Sequence, residues 1–173
     1  MVVRLPSDSQ KSLQRNSVAI FCDIQNVPKI KDTAKYLLDF AKTIGTVDYK
    51  KLYYNSNFPN QVFIKDKLKV YAFECVNVTD TSENSADDRL MVDCVKLFAP
   101  RRLPIPNTVI IVSGDWDYAG LISVLQAMGK RVIIFAQKGS ASTKIAGLIG
   151  RNNFYFVDDL PDLLNNINFS QLV

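Results

Sequence analysis

An α/β domain with a mostly parallel sheet is the fold class predicted for this chain, and three observations predict it. Short runs of continuous apolar residues recur along the sequence, as in VAIFC at 18–22, VIIV at 109–112 and VIIFA at 132–136. Amphipathic helical patterns separate them, which is how strands buried on both faces and covered by helices read in sequence. No internal repeat or low-complexity segment interrupts the alternation, and 173 residues are enough for one domain with a sizeable core.

Residues 1–16 are polar and unpatterned and read as a loose tail. The first strand spans Val18 to Cys22. VPKIKDTAKYLLDFAKTIG follows as an amphipathic helix, with Pro28 near its start and Gly45 closing it. Val47 to Tyr54 reads as the second strand, Asn60 to Lys69 as the second helix and Tyr71 to Val76 as the third strand. NVTDTSENSA is a loop, and Asp87 to Ala99 is a helix ended by the three prolines of PRRLPIP. Thr108 to Val112 is the fourth strand, Tyr118 to Met128 a helix stopped by Gly129, and Arg131 to Ala136 the fifth strand. A helix at Thr143 to Ile149 and a short edge strand at Phe154 to Val157 close the pattern, with FVDDLPDLL as a capping helix or a docking segment. The domain is expected over 17–165, with a C-terminal tail at 166–173.

Composition narrows the chemistry. The chain has no histidine, so the commonest general base and transition-metal ligand is absent. Cys22, Cys75 and Cys94 lie in apolar segments with no CxxC pair, which excludes a zinc knuckle and a thioredoxin-like motif. They read as reduced, buried thiols. The net charge of +4 suits a polyanionic partner. With no signal-peptide pattern and no apolar run long enough to cross a bilayer, a soluble cytoplasmic protein is expected.

Acids fall where strands end. VAIFCD places Asp23 at the end of the first strand with Asn26 three residues on, and VIIVSGDWD places Asp115 and Asp117 just past the fourth. Ligands of open α/β sheets bind outside the carboxyl ends of the strands, where the winding reverses. If strands one and four are neighbours, the three aspartates converge on one crevice. In the third helix, Leu90, Met91, Cys94, Val95, Leu97 and Phe98 form an apolar stripe, and at about 100° per residue Asp87 projects near its middle. Asp88 falls toward one flank and Asp93 beyond the other. Each acid alone also fits a helix or turn cap, but caps do not explain why both central strands end in acid.

Ionised aspartates crowded together repel one another unless a cation neutralises them. Oxygen-only ligands favour Mg²⁺ or Mn²⁺, which can hold a phosphate oxygen and activate water without histidine. Asn26 adds an amide that could bind a ligand oxygen. The GSASTK segment at 139–144 lacks the spacing of a phosphate-binding loop, and no G-x-G-x-x-G follows a strand.

The sequence resembles the NYN domain, a branch of the PIN-like nuclease fold, and in particular its bacterial LabA-like group. FCDIQNV is similar to the opening D-x-x-N motif, ADDRLMVD to the helix motif with an acid recurring six residues later, and VSGDWDYAGLI to S-G-D-x-D-[FY]-x-x-[LI], which includes Ser113. STKIAGLIGRNNFYFVDDL resembles the closing segment. The resemblance implies a metal-dependent ribonuclease-like site formed by Asp23, Asn26, Asp87, Asp88, Asp115 and Asp117, with Asp23, Asp87, Asp115 and Asp117 on the metal and Asp93 in a second tier. It implies a sheet of order 3-2-1-4-5, with room for a short extra edge strand. The chain departs from the family pattern at Ile24, where many members carry glycine, and at Asn84, where many carry lysine.

Arg89, Arg101, Arg102, Lys138, Lys144 and Arg151 are candidate phosphate contacts, and Trp116 a candidate platform for an unpaired base. RNA is the expected partner. A regulatory or scaffold domain recruiting a protein or a second copy, and a metal-dependent phosphatase, are the competing functions.

Overall fold

The computed structural model describes residues 16–79, 85–99 and 104–170. Six parallel strands form one sheet in the order β3-β2-β1-β4-β5-β6: β1 (Ser17–Asp23), β2 (Thr46–Tyr54), β3 (Glu74–Asn77), β4 (Thr108–Val112), β5 (Arg131–Ala136) and β6 (Phe154–Phe156). The predicted order and the extra edge strand are both present. Every residue of β1 and β4 is buried, as continuous apolar runs require of central strands covered on both faces.

Two apolar layers lie on either side. Val18, Ile20 and Cys22 face a core closed by α1 (Ile30–Ile44), α2 (Pro59–Leu68) and α6 (Leu160–Ser170). Ala19 and Phe21, alternating with them along the pleat, face a second core closed by α3 (Ser85–Lys96), α4 (Ala119–Ala127) and α5 (Thr143–Ile149). The result is a three-layer sandwich. The last helix runs on past residue 165 to Ser170. No helix among the described residues is long and apolar enough to cross a membrane.

The third strand starts later than its apolar pattern suggests. Lys69–Tyr71 continues α2 as a 3₁₀ turn, and Ala72 then reverses the chain in the left-handed region at φ 55°. Phe73 is buried in the core next to this reversal, so pairing with β2 begins only at Glu74.

This topology positions the site. The chain leaves β1 through α1 on one face of the sheet and leaves β4 through α4 on the other, and β1 and β4 are hydrogen-bonded neighbours from Val18–Thr108 to Cys22–Val112. The winding therefore reverses between them, and their carboxyl ends open a crevice.

Candidate metal centre

Asp23 ends β1 at the bottom of that crevice, 4% exposed. Its Oδ1 accepts the backbone N–H of Gln25 at 3.0 Å and of Asn26 at 3.3 Å, and its carbonyl accepts that of Val27 at 3.1 Å, so the side chain shapes the turn out of the strand. Burial, reinforced by the negative charge of Asp87, pushes its carboxyl up to about 7; the two turn amides pull the other way, and Asp115 adds a smaller upward push.

Asn26 joins the two central loops. Its Oδ1 accepts the backbone N–H of Gly114 at 2.8 Å, fastening the turn after β1 to the turn after β4. Gly114 is required there by space. A Cβ on it would stand 2.8 Å from the Cα of Ala141, and its carbonyl accepts the N–H of Ser142 at 2.9 Å, which holds the segment before α5 against the same loop. The fully buried Ser113 accepts the N–H of Asp115 on its Oγ at 3.2 Å. Asp115 in turn caps the 3₁₀ turn Trp116–Tyr118, its Oδ1 accepting the N–H of Asp117 at 3.1 Å.

Asp87, in the first turn of α3, meets this loop from the other side. Tyr118, fully buried, donates its phenol O–H to Asp87 Oδ1. Burial raises the Asp87 carboxyl above the usual range; the Tyr118 hydrogen bond lowers it, and the charges of Asp115, Asp117 and Asp88 raise it again. Burial also lifts the Tyr118 phenol far above its ordinary value, helped by the charges of Asp23 and Asp87, so it remains a donor.

Asp87, Asp115 and Asp117 each offer a carboxylate oxygen, and the three lie within 4.8 Å of one another. Among the described residues no ion pair neutralises them. Oxygens only, closely spaced and without a cationic partner among the described residues, suit a hard divalent cation. Asp23 stands outside this trio and couples to it through the charges of Asp87 and Asp115.

The other candidates are placed as follows. Asp88 is exposed on the first turn of α3. Asp93 is buried away from the trio, since six residues along a helix is a displacement of about 9 Å. There it accepts from Lys51 at 3.3 Å, the Tyr53 hydroxyl at 3.1 Å and Arg89 Nε at 3.4 Å, and so ties α3 to β2. Arg89 is thereby directed toward Asp93. Lys138 pairs with Asp159 and lies 5.8 Å from the centre of the Phe156 ring. Arg151 is exposed in the turn after α5. Lys144 and Trp116 adjoin the acidic loop, with the Lys144 ammonium 5.8 Å from the indole centre. Arg101, Arg102 and Asn84 lie outside the described residues. Sequence reasoning overlooked the Tyr118 hydroxyl and the Gly114 amide; the aromatic that follows Asp117 and the glycine that precedes Asp115 were the available signals.

A parallel three-layer sandwich with clustered acids at its switch point is consistent with a PIN-like fold. The sequence profile of the NYN domain matches residues 17–149, and the chain belongs to that family. Domains of this family are typically dependent on divalent metal and act on RNA. No curated protein matches the chain.

Proposed function

We propose that this protein is a Mg²⁺- or Mn²⁺-dependent ribonuclease that hydrolyses RNA phosphodiester bonds. The observation that carries the reading is the convergence of Asp87, Asp115 and Asp117 at the β1/β4 switch point, with no cationic side chain paired to them among the described residues. A protein without histidine has few other ways to hold a phosphodiester and its attacking water.

In this reading Asp87, Asp115 and Asp117 hold the ion, and Asp23 is the fourth carboxylate behind them. A bound Mg²⁺ or Mn²⁺ would lower the pKa of a coordinated water and offset the charge that develops on the phosphate. Tyr118 fixes the carboxylate of Asp87 by hydrogen bonding, and Asp115 is held by its cap on Asp117. Asn26, its Oδ1 engaged by Gly114, keeps its amide N–H groups for a ligand oxygen.

The test is cleavage of labelled single-stranded RNA with Mn²⁺, with Mg²⁺ and with EDTA, alongside Asp23→Asn and Asp115→Asn. Metal-dependent cutting that both variants lose supports the assignment. Absence of cutting with every metal, from a folded protein, overturns it and points to a scaffold. Turnover of a small phosphomonoester in place of RNA points to a phosphatase.

A further inference from the structure

Trp116 is the only tryptophan of the chain, and it stands between two of the clustered acids with 40% of its surface exposed. It belongs to neither hydrophobic core. A tryptophan serving as an internal wall of its loop would be covered; here the buried aromatic of the same turn is Tyr118, and the indole is left outside. The Lys144 ammonium lies over the indole ring, 5.8 Å from its centre, a cation–π pair that takes one face of the indole. Lys144 is held near by the hydrogen bond from Ser142 to the Gly114 carbonyl, which fastens the start of α5 to the acidic loop.

An exposed indole beside carboxylates is a poor surface for an anion. It suits a group with a neutral π face whose charge is carried a few ångströms away. A nucleotide has that form: its base can lie on the indole while its phosphate reaches the lysine. Bases inside a duplex already stack on both faces, so only an unpaired base can lie flat on Trp116.

We propose that Trp116 and Lys144 form a subsite for one unpaired nucleotide, the base stacked on the indole face that Lys144 leaves open and its phosphate against the Lys144 ammonium, so that the site accepts single-stranded RNA. The proposal rests on the ribonuclease reading of the adjacent acids and adds the strand state that the site accepts.

As the sole tryptophan, Trp116 reports on itself by fluorescence. The experiment titrates an oligouridylate of about twelve nucleotides, within the usual range of single-strand site sizes, into the full chain in Ca²⁺. Tryptophan emission and the anisotropy of a labelled copy are both followed. Emission is expected to be quenched with the same midpoint as the anisotropy change. Trp116→Ala should weaken binding about tenfold to a hundredfold, Trp116→Phe less, and Lys144→Ala should weaken it while lowering the salt slope by about one. A duplex of the same length should neither quench nor respond to Trp116→Ala.

Unchanged emission while the oligomer binds overturns the subsite, as does equal binding by a Trp116→Ala protein whose circular dichroism is native. No binding of the oligomer overturns it too. The two readings fail separately. Quenching without cleavage in any metal removes the ribonuclease and leaves the subsite. Cleavage of single strand and duplex alike by both the native protein and Trp116→Ala removes the subsite and leaves the ribonuclease.

Discussion

The phenol of Tyr118 donates its hydrogen bond to Asp87, so that the turn following β4 and the first turn of α3, 31 residues apart, share one buried contact. That contact orients a carboxylate of the proposed metal centre and links its two halves. Tyr118→Phe removes the donor and leaves Asp87 desolvated. Partners that orient a metal ligand are worth roughly tenfold to a hundredfold in affinity, so Mn²⁺ affinity, read by calorimetric titration, should fall roughly tenfold or more. Unaltered affinity would show that the contact is only structural.

Asp23 makes stability pH-dependent. Its folded carboxyl stands at about 7, above the 3.8 of an unperturbed aspartate. A group raised in the folded state contributes stability that is complete below the unfolded value and is lost as pH rises through the folded one. In EDTA the protein should therefore be more stable at pH 5 than at pH 8, by at most about 3 kcal/mol from this group, since two of the roughly three pH units of the shift lie above pH 5. Asp23→Asn can still accept the turn hydrogen bonds through its amide oxygen, and it should flatten the slope in urea unfolding. An unchanged slope would assign the pH dependence to other groups.

Divalent cations should stabilise the fold at pH 8. Binding to the native state alone contributes about 2.7 kcal/mol when the ion is at a hundred times its dissociation constant. The rise in melting temperature with Mn²⁺ should be largest for the native protein and small for Asp115→Asn and Asp117→Asn. An equal rise in all three would place the ion elsewhere.

Asp93 should behave differently from the trio. It is 5% exposed and holds Lys51, Tyr53 and Arg89, while Lys51 keeps a second partner in Glu74 at 3.0 Å. Burial alone would raise its carboxyl, but Lys51, Tyr53 and Arg89 outweigh burial and hold it below the usual range. Asp93→Asn should cost about 2–3 kcal/mol in denaturant unfolding, below the full penalty for breaking a buried pair because Glu74 remains. Mn²⁺ affinity should be nearly unchanged, and a large drop would return Asp93 to the metal site.

Gly114→Ala tests how tightly the acidic loop is held. The added Cβ meets Ala141 backbone at 2.8 Å, which a side-chain rotation cannot relieve. The loop must shift, straining the hydrogen bonds to Asn26 and Ser142. A lower melting temperature together with weaker Mn²⁺ binding is expected. Loss of stability with full affinity would mean that the loop moves as a rigid piece.

The sequence by itself determined the alternation of strands and helices and the location of acids where β1 and β4 end. These are local properties: an apolar run long enough to be a buried strand, and the charge that terminates it. Helical periodicity also placed Asp87 on the sheet-facing side of α3. It supplied the direction of Asp93 around the helix but not its consequences, because what lies about 9 Å farther along that helix is Lys51 and Tyr53, on a strand 40 or so residues earlier. The left-handed turn at Ala72 likewise delayed β3 in a way no apolar pattern records. Tertiary structure alone decided that Asn26 fastens onto Gly114 across 88 residues, that Tyr118 holds Asp87, and that Lys144 comes to rest beside Trp116. The physical reason is common to all three: each contact joins loops or helix ends whose separation is set by the stacking of neighbouring strands, and side-chain chemistry acts over a few ångströms that chain spacing does not encode.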